Sequence, residues 1–452
     1  MYLVAGLGIT GQSVLRYFQA QGEACFAYDT RAELEVTHLT QAFPDVVFAT
    51  GQMPTAWISQ IQTVVLSPGI SVNEPWVVSL RTLGKQIIGD IELFCRTVGV
   101  PVIGITGSNG KSTVTTLTGM ALQEAGFCVA MGGNLGEPVL DLLMDANEYD
   151  VYVLELSSFQ LETTYSLQSL SSTVLNISED HMDRYDEMED YIQAKTKVFE
   201  NTELAVLPEG FSVKGVIHHS PVVSFGISAN FHIGQNNYGV VYENQQAWLV
   251  HGTQKLVNVQ DMALQGNHHL LNALAMMALC QPFKLEGAVF SKVLKAFKGL
   301  PHRTQLVVNY QDVDWINDSK GTNVGATLTA IESIGQQALH DNAQVILIAG
   351  GVSKEADFSS LQPAVHQYCR HVILFGQDKQ QIADVLTHES VAQVEALQQA
   401  VELAHSLAKP HDKVLFSPAC ASFDQFNNYI KRGEAFESYV GQLINLEEAS
   451  HA

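Results

Sequence analysis

The chain reads as an α/β protein of three domains. These are a small Rossmann-like N-terminal domain (1–92), a central P-loop ATPase-like α/β domain (93–299) and a C-terminal Rossmann-like α/β domain (300–452). Three observations predict this. Its 452 residues correspond to roughly three domains of ordinary size. Twice an apolar, strand-like run breaks into a Gly-rich turn that opens a helix, at 6–11 and at 104–113. Beyond Gly299-Leu300-Pro301, three apolar runs each end in a loop that carries hydroxyl groups.

In the first domain, 2–5 reads as a strand, Gly6-x-Gly8-x-x-Gly11 as the turn and Gln12 to Gln21 as the helix. Ala24 to Tyr28 is a second strand, and Asp29 stands at its end. That is a dinucleotide fingerprint with an acid at about the right distance, and alone it argues for an NAD enzyme. The segment is too short for two mononucleotide halves. Val64-Val65-Leu66 then runs into a second tight turn, Ser67-Pro68-Gly69-Ile70. A small doubly wound domain for a mononucleotide or nucleotide sugar fits better.

In the central domain, an apolar run (98–105) leads into Thr106-Gly107-Ser108-Asn109-Gly110-Lys111-Ser112-Thr113, and a helix follows. A strand, a Gly-rich turn and a helix N-terminus present backbone N–H groups and a positive dipole end to a phosphate. Lys111 adds a charge for the β/γ-phosphates, and the Ser112 hydroxyl suits Mg²⁺. Ile105 stands where the strict P-loop has its first Gly, so this is a tighter variant. Met131-Gly-Gly-Asn-Leu-Gly136 is another Gly-rich turn, with Asn134 able to donate to phosphate. Glu155 ends the strand Val151 to Leu154. Acids at such positions cap helices about as often as they bind cations; the neighbouring P-loop favours a hard cation.

Thr173 to Ile177 is the next predicted strand, and the following loop, 178–185, is dense in potential ligands, His181 among them. A histidine among acids is ordinarily a solvated loop residue. Convergence of strand-end loops makes His181 a candidate metal ligand. A helix over Met188 to Glu200 carries Lys195, which on its own reads as a surface lysine. His268-His269 opens another helix through Cys280; adjacent residues face different directions, so capping or packing is favoured over metal binding.

In the C-terminal domain, Trp315-Ile316-Asn317 leads into Asp318-Ser319-Lys320-Gly321-Thr322-Asn323. Val345 to Ala349 leads into Gly350 to Asp357, and Val414-Leu415-Phe416 into Ser417 to Asp424. Loops at the carboxyl ends of strands line the crevice of an open α/β sheet. Their hydroxyls, with Lys320 and Lys354, suit an anionic small molecule such as an amino-acid carboxylate.

The net charge of −23 argues against nucleic acid and anionic membranes as partners. Six dispersed cysteines read as reduced thiols. Neither a cationic leader nor an apolar run of about 20 residues is evident, which predicts a cytoplasmic protein with no membrane insertion.

Five motifs, in order, resemble the Mur ligases of bacterial peptidoglycan synthesis. They are Thr-Gly-Ser-Asn-Gly-Lys-Ser (106–112), Gly-Gly-Asn-Leu-Gly (132–136), Glu-Leu-Ser-Ser-Phe-Gln-Leu (155–161), Asn-Ile-Ser-Glu-Asp-His-Met-Asp-Arg (176–184) and Asn-Asp-Ser-Lys-Gly-Thr-Asn (317–323). Within the family, 417–426 and 6–11 resemble the branch that adds D-glutamate. The Asp-Asn-Pro-Arg signature of the diaminopimelate- or lysine-adding branch is absent. Folylpolyglutamate synthetases lack a domain like 1–90. Two departures from the branch are Gly321, where Ala is common, and Tyr429, where Phe is frequent.

The resemblance implies ATP-dependent ligation of D-glutamate to UDP-N-acetylmuramoyl-L-alanine through an acyl phosphate and a tetrahedral intermediate, by a monomer. It implies that Gly107, Ser108, Asn109, Gly110, Lys111, Ser112 and Thr113 hold ATP phosphates, with Asn272, Arg303 and Asp318 around adenine and ribose. Two Mg²⁺ ions would use Ser112, Glu155, His181 and a carbamylated Lys195, and Asn134 would contact the transferring group. Ile9, Thr10, Asp29, Thr30, Arg31, Ser67 and Gly69 would meet the UDP moiety. Lys320, Thr322, Lys354, Ser422 and Tyr429 would form the D-glutamate site. Another amide ligase of the superfamily, and a nucleotide switch or NAD enzyme without ligation, are the alternatives.

Overall fold

The computed structural model describes residues 1–212, 220–353, 356–387 and 390–451. The chain divides into two compact units: Met1–Ile177 with Glu189–Ala263 and Leu270–Ala296, and Ser178–Met188 with Leu264–His269 and Phe297–Ala452.

The first unit contains two sheets. Strands β1 (Tyr2–Ala5), β2 (Cys25–Asp29), β3 (Val47–Thr50), β4 (Thr63–Leu66) and β5 (Gln86–Ile88) form an all-parallel sheet in the order β3-β2-β1-β4-β5. Strand order reverses between β1 and β4, so the turns after those strands flank the switch-point crevice. Gly6 has a φ of +90°, and a Cβ there would lie 2.6 Å from Ser67 Cβ. A Cβ on Gly11 would sit 1.8 Å from the Gly6 carbonyl oxygen. Both positions therefore need glycine: one turn packs on the other, and the helix Ile9–Gln21 packs on its own entry.

The second sheet comprises β6 (Val102–Thr106), β7 (Val129–Gly133), β8 (Val151–Glu155), β9 (Ser171–Val174), β10 (Ala205–Pro208), β11 (Val222–Phe225), β12 (Tyr238–Glu243), β13 (Gln246–His251) and β14 (Gln254–Asn258). Its order is β14-β13-β12-β11-β10-β9-β6-β8-β7. β6 to β11 pair in parallel, and β12 to β14 form an antiparallel meander at one edge. Strands β6 and β8 are buried on both faces, which is why they read as largely continuous apolar runs rather than alternating ones; β9 is equally buried but is Ser-Ser-Thr-Val.

Two expectations are corrected here. β9 ends at Val174 instead of running to Ile177, because the backbone turns onto the Gly-rich loop: Ser108 N–H donates to the Asn176 carbonyl at 2.9 Å. The helix Met188–Thr196 stops short of Glu200 and tightens into a 3₁₀ turn, Lys197–Phe199, whose Val198 and Phe199 are buried. Strands β10 to β14 are additions that the sequence does not announce, since that region carries no motif and alternates only weakly.

The second unit holds a sheet of β15 (Gln305–Tyr310), β16 (Val313–Asn317), β17 (Val345–Gly350), β18 (Cys369–Phe375), β19 (Val391–Gln393) and β20 (Lys413–Phe416), ordered β15-β16-β20-β17-β18-β19. All pairs are parallel except β15 with β16. Alternate residues of β17 serve opposite cores, Leu347 and Ala349 on one face, Ile346 and Ile348 on the other. Because β20 lies between β16 and β17, the loops after these three strands emerge side by side.

Candidate functional site

The Gly-rich loop after β6 is held from below. Gly107 (φ +143°) and Gly110 (φ +83°) take backbone conformations open to glycine, and Gly110 forms the N-cap of the helix Lys111–Glu124. Asn176 clamps the loop tip: its Oδ1 accepts from Asn109 N–H at 2.8 Å, and its Nδ2 donates to the Asn109 carbonyl at 3.0 Å. Tyr191 hydrogen-bonds Ser108 Oγ at 3.1 Å. Lys111 Nζ curls back onto the carbonyls of Gly107 (2.7 Å) and Ser108 (2.9 Å). Thr113 is half-buried in the first helical turn, and Asn272 Oδ1 lies against Gly110. Sequence reasoning misses Asn176 and Tyr191 as clamp residues; their side chains act across about 70–80 positions, a separation no local spacing reveals.

Beside this loop, buried Glu155 receives two donors: the Ser112 hydroxyl on Oε2 and Asn134 Nδ2 on Oε1 at 2.6 Å. The turn carrying Asn134 fits because Gly133 has φ +94° and its missing Cβ would fall 2.3 Å from the Glu155 carbonyl. Glu155 and Ser112 thus place hard oxygen donors together, the donor chemistry Mg²⁺ takes. Lys195 corrects its reading as a surface lysine. It is 2 % exposed, its Nζ donates to the Gly107 carbonyl at 3.0 Å and it lies 4.6 Å from the centre of the Tyr191 ring. Ser112, Glu155 and Lys195 fall in the first unit, whereas His181 falls in the second. Among the described residues no group of three or more His, Cys, Asp or Glu side chains is placed to hold a metal ion.

In the N-terminal domain, Asp29 is 3 % exposed and accepts from Leu7 N–H at 2.8 Å, from Arg31 N–H at 3.0 Å and from both Arg31 Nε and Nη2. Burial alone would raise its carboxyl; Arg31 and the Leu7 N–H outweigh that and bring it down to about 2. Asp29 therefore ties the Gly-rich turn to the end of β2. Ile9 is 75 % exposed at the turn, Thr30 is exposed, Thr10 is half-buried, and Ser67 and Gly69 cap the neighbouring turn.

In the second unit, Asp318 is buried and pushed up to about 6 by that burial, against hydrogen bonds from Ser417 Oγ (2.6 Å) and Thr304 N–H (3.0 Å) and the charge of Arg303. A Cβ on Gly321 would meet Asp318 Oδ2 at 2.5 Å, so the departure from the family's alanine coincides with a tight contact. Lys320 Nζ lies 4.2 Å from the centre of the Tyr429 ring. Thr322 is half-buried and Ser422 buried. Lys354 lies outside the described residues. Sequence reasoning passes over Arg432. This fully buried guanidinium donates to Ser319 Oγ (3.2 Å), the Ser319 carbonyl (2.9 Å) and the Cys420 carbonyl (3.0 Å), bracing the loops after β16 and β20 against each other. Burial lowers it to about 10, where it stays charged at neutral pH.

The His268 and His269 rings pack in a tilted arrangement, 44° between planes, with ring centres 3.8 Å apart. Burial lowers both, His269 to about 3, so they are neutral packing groups at pH 7.

A parallel nucleotide-type sheet, a P-loop sheet and a third α/β sheet, in that order, define a modular nucleotide-dependent enzyme. Family models match in the same order: the Mur ligase MurD-like N-terminal domain over 1–89, the Mur ligase middle domain over 105–280 and the Mur ligase glutamate ligase domain over 302–420. The chain belongs to the Mur ligase family. It is 61 % identical over 447 residues to a UDP-N-acetylmuramoylalanine–D-glutamate ligase of Hydrogenovibrio crunogenus, covering 99 % of both chains. It is 43 % identical over 450 residues to the enzyme of the same name from Legionella pneumophila, covering 98 % of this chain and 99 % of that one. Its fold is similar to that of the MurF ligase of Thermotoga maritima solved with ADP (TM-score 0.63, 16 % identity, 98 % and 95 % coverage). It is also similar to MurC of the same organism (TM-score 0.60, 17 % identity, 98 % and 99 % coverage).

Proposed function

We infer that this chain ligates D-glutamate to UDP-N-acetylmuramoyl-L-alanine, consuming ATP and releasing ADP and phosphate, in the cytoplasmic stage of peptidoglycan synthesis. The observation that carries this reading is the 61 % identity to a ligase of that name, end to end and across all three sheets. No helix among the described residues is long and apolar enough to cross a membrane. The enzyme works as a monomer, with domains at 1–92, 93–299 and 300–452.

The chemistry needs charge neutralisation and alignment more than bond-making groups. The substrate carboxylate attacks the γ-phosphorus of ATP and ADP leaves. The amine of D-glutamate attacks the resulting acyl phosphate, the tetrahedral adduct loses phosphate and a proton, and the amide remains. The 107–113 backbone and Lys111 bind the phosphates; Lys111 exchanges its carbonyl partners on Gly107 and Ser108 for phosphate oxygens. Asn134 donates to the transferring group. Asn272, Arg303 and Asp318 meet adenine and ribose. Mg²⁺ would be held by Ser112 and Glu155, and a second ion by His181 and carbamylated Lys195; bound there it neutralises phosphate charge. Ile9, Thr10, Asp29, Thr30, Arg31, Ser67 and Gly69 bind the UDP moiety. Lys320, Thr322, Lys354, Ser422 and Tyr429 receive D-glutamate, whose two carboxylates suit the lysines and hydroxyls.

The test is phosphate release with UDP-N-acetylmuramoyl-L-alanine against a panel of D- and L-amino acids. D-Glutamate alone should support turnover; release with a different amino acid would place the chain in another branch of the superfamily. Lys354→Ala should raise the KM for D-glutamate by ~10² while leaving that for ATP nearly unchanged. Equal losses for both substrates would reassign Lys354 to the nucleotide.

A further inference from the structure

Residues 178–188 follow the central-sheet strand β9 in sequence, yet they group with the C-terminal unit. Asn323 supplies one of the bonds that attach them. Asn323 is the N-cap of the helix Val324–His340, and its Oδ1 accepts from Ala326 N–H at 2.8 Å. That bond fixes the amide's orientation, so Nδ2 points the other way and donates to Asp180 Oδ2 at 3.1 Å. Asp180 is the immediate neighbour of His181, whose φ of +61° lies in the left-handed region that a β-carbon disfavours. A loop held in that conformation needs an anchor. Glu179, Asp180, His181 and Met182 line a small pocket together with Thr322 and Asn323.

We propose that Asn323 is a positioning residue, which fastens the Asp180-His181 loop to the loop carrying Thr322 and so aligns the two sides of the amino-acid pocket. The proposal rests on the reading of this site as the D-glutamate site. The helix cap is the second use of the same amide: the cap orients it, and the orientation selects a carboxylate at position 180. Asparagine is required for both together, because aspartate caps a helix equally well but cannot donate to a carboxylate.

The experiment uses four full-length proteins: wild type, Asn323→Asp, Asp180→Asn and the double variant. Asn323→Asp keeps the cap but sets two carboxylates face to face. It should lower kcat/KM for D-glutamate by about tenfold or more, with nucleotide affinity, measured by direct ATP titration, changed less than about twofold. In the double variant the amide introduced at position 180 donates to the carboxylate introduced at position 323. The substitution Asn323→Asp made on the Asp180→Asn background should therefore cost less than about threefold. An equal penalty on both backgrounds would overturn the proposal, as would wild-type D-glutamate kinetics in Asn323→Asp. Melting temperatures of the four proteins read the same coupling without substrate. If wild type fails to use D-glutamate but the melting cycle shows the coupling, the functional reading falls and the Asn323–Asp180 attachment stands.

Discussion

The two Gly-rich turns, at 6–11 and 106–112, follow one plan and reach different chemistry. Each ends a parallel strand and opens a helix. In the first, glycine serves close packing: Gly6 makes room for Ser67, and Gly11 for the Gly6 carbonyl. The turn carries no cation of its own, and its charge comes from the next strand, where Asp29 is pinned by Arg31. In the second, the lysine is part of the turn, a second lysine is buried beneath it, and an acid from β8 takes the Ser112 hydroxyl. Glycine spacing thus marks where a backbone must come close to something. The charges around it decide what that something is.

Substitutions at four positions break or sharpen this contrast. The largest effect is expected at Lys111→Ala, which removes the cation from the second turn: phosphate release should fall on the order of 10³-fold with an unchanged melting curve. Near-normal turnover would make the second turn as structural as the first. Next comes Lys195→Ala, nearly inactive and partly recovered by short carboxylic acids in the assay, whereas Lys195→Arg should show no recovery. Full activity of the alanine variant without additives would leave Lys195 a packing residue.

Gly11→Ala probes the first turn, where the added methyl would collide with backbone rather than a movable side chain. Urea denaturation should reveal a loss of about 2–3 kcal/mol. The smallest effect belongs to Asp29→Asn. The Asp29 carboxyl drops from its ordinary 3.8 to about 2 in the folded protein, so its stabilisation is complete above about pH 4 and lost as pH falls toward 2. Because Arg31 is largely exposed, solvent screens the pair, and the variant should lose only about 1 kcal/mol at pH 7. A wild-type-minus-variant difference that persists at pH 2 would show that Asp29 acts through packing instead.

The strand–turn–helix units were legible because their signals are local. Gly6, Gly11, Gly107 and Gly110 sit within a few residues of the strands and helices they join. The Asp29 and Glu155 positions follow from strand ends, and the buried two-faced strands β6, β8 and β17 announce themselves as unbroken apolar runs. The β12–β14 meander escaped because a partly exposed edge sheet needs no strong pattern.

By itself, the sequence determined the three-part α/β plan, the order of the modules, the Gly-rich turns, the lysine at the end of the second turn and the acid at the end of a neighbouring strand. Those features depend on residues near one another, where steric and periodic constraints act directly. Only the tertiary structure decided that Lys195 is buried under the Gly107 carbonyl, that Asn176 and Tyr191 clamp the phosphate loop, and that Arg432 braces two loops. It alone decided that the His181 loop attaches to the C-terminal unit through Asn323. Each of these depends on which distant strands become neighbours in a sheet, and a buried polar group takes its partner from whatever that arrangement brings within hydrogen-bond reach.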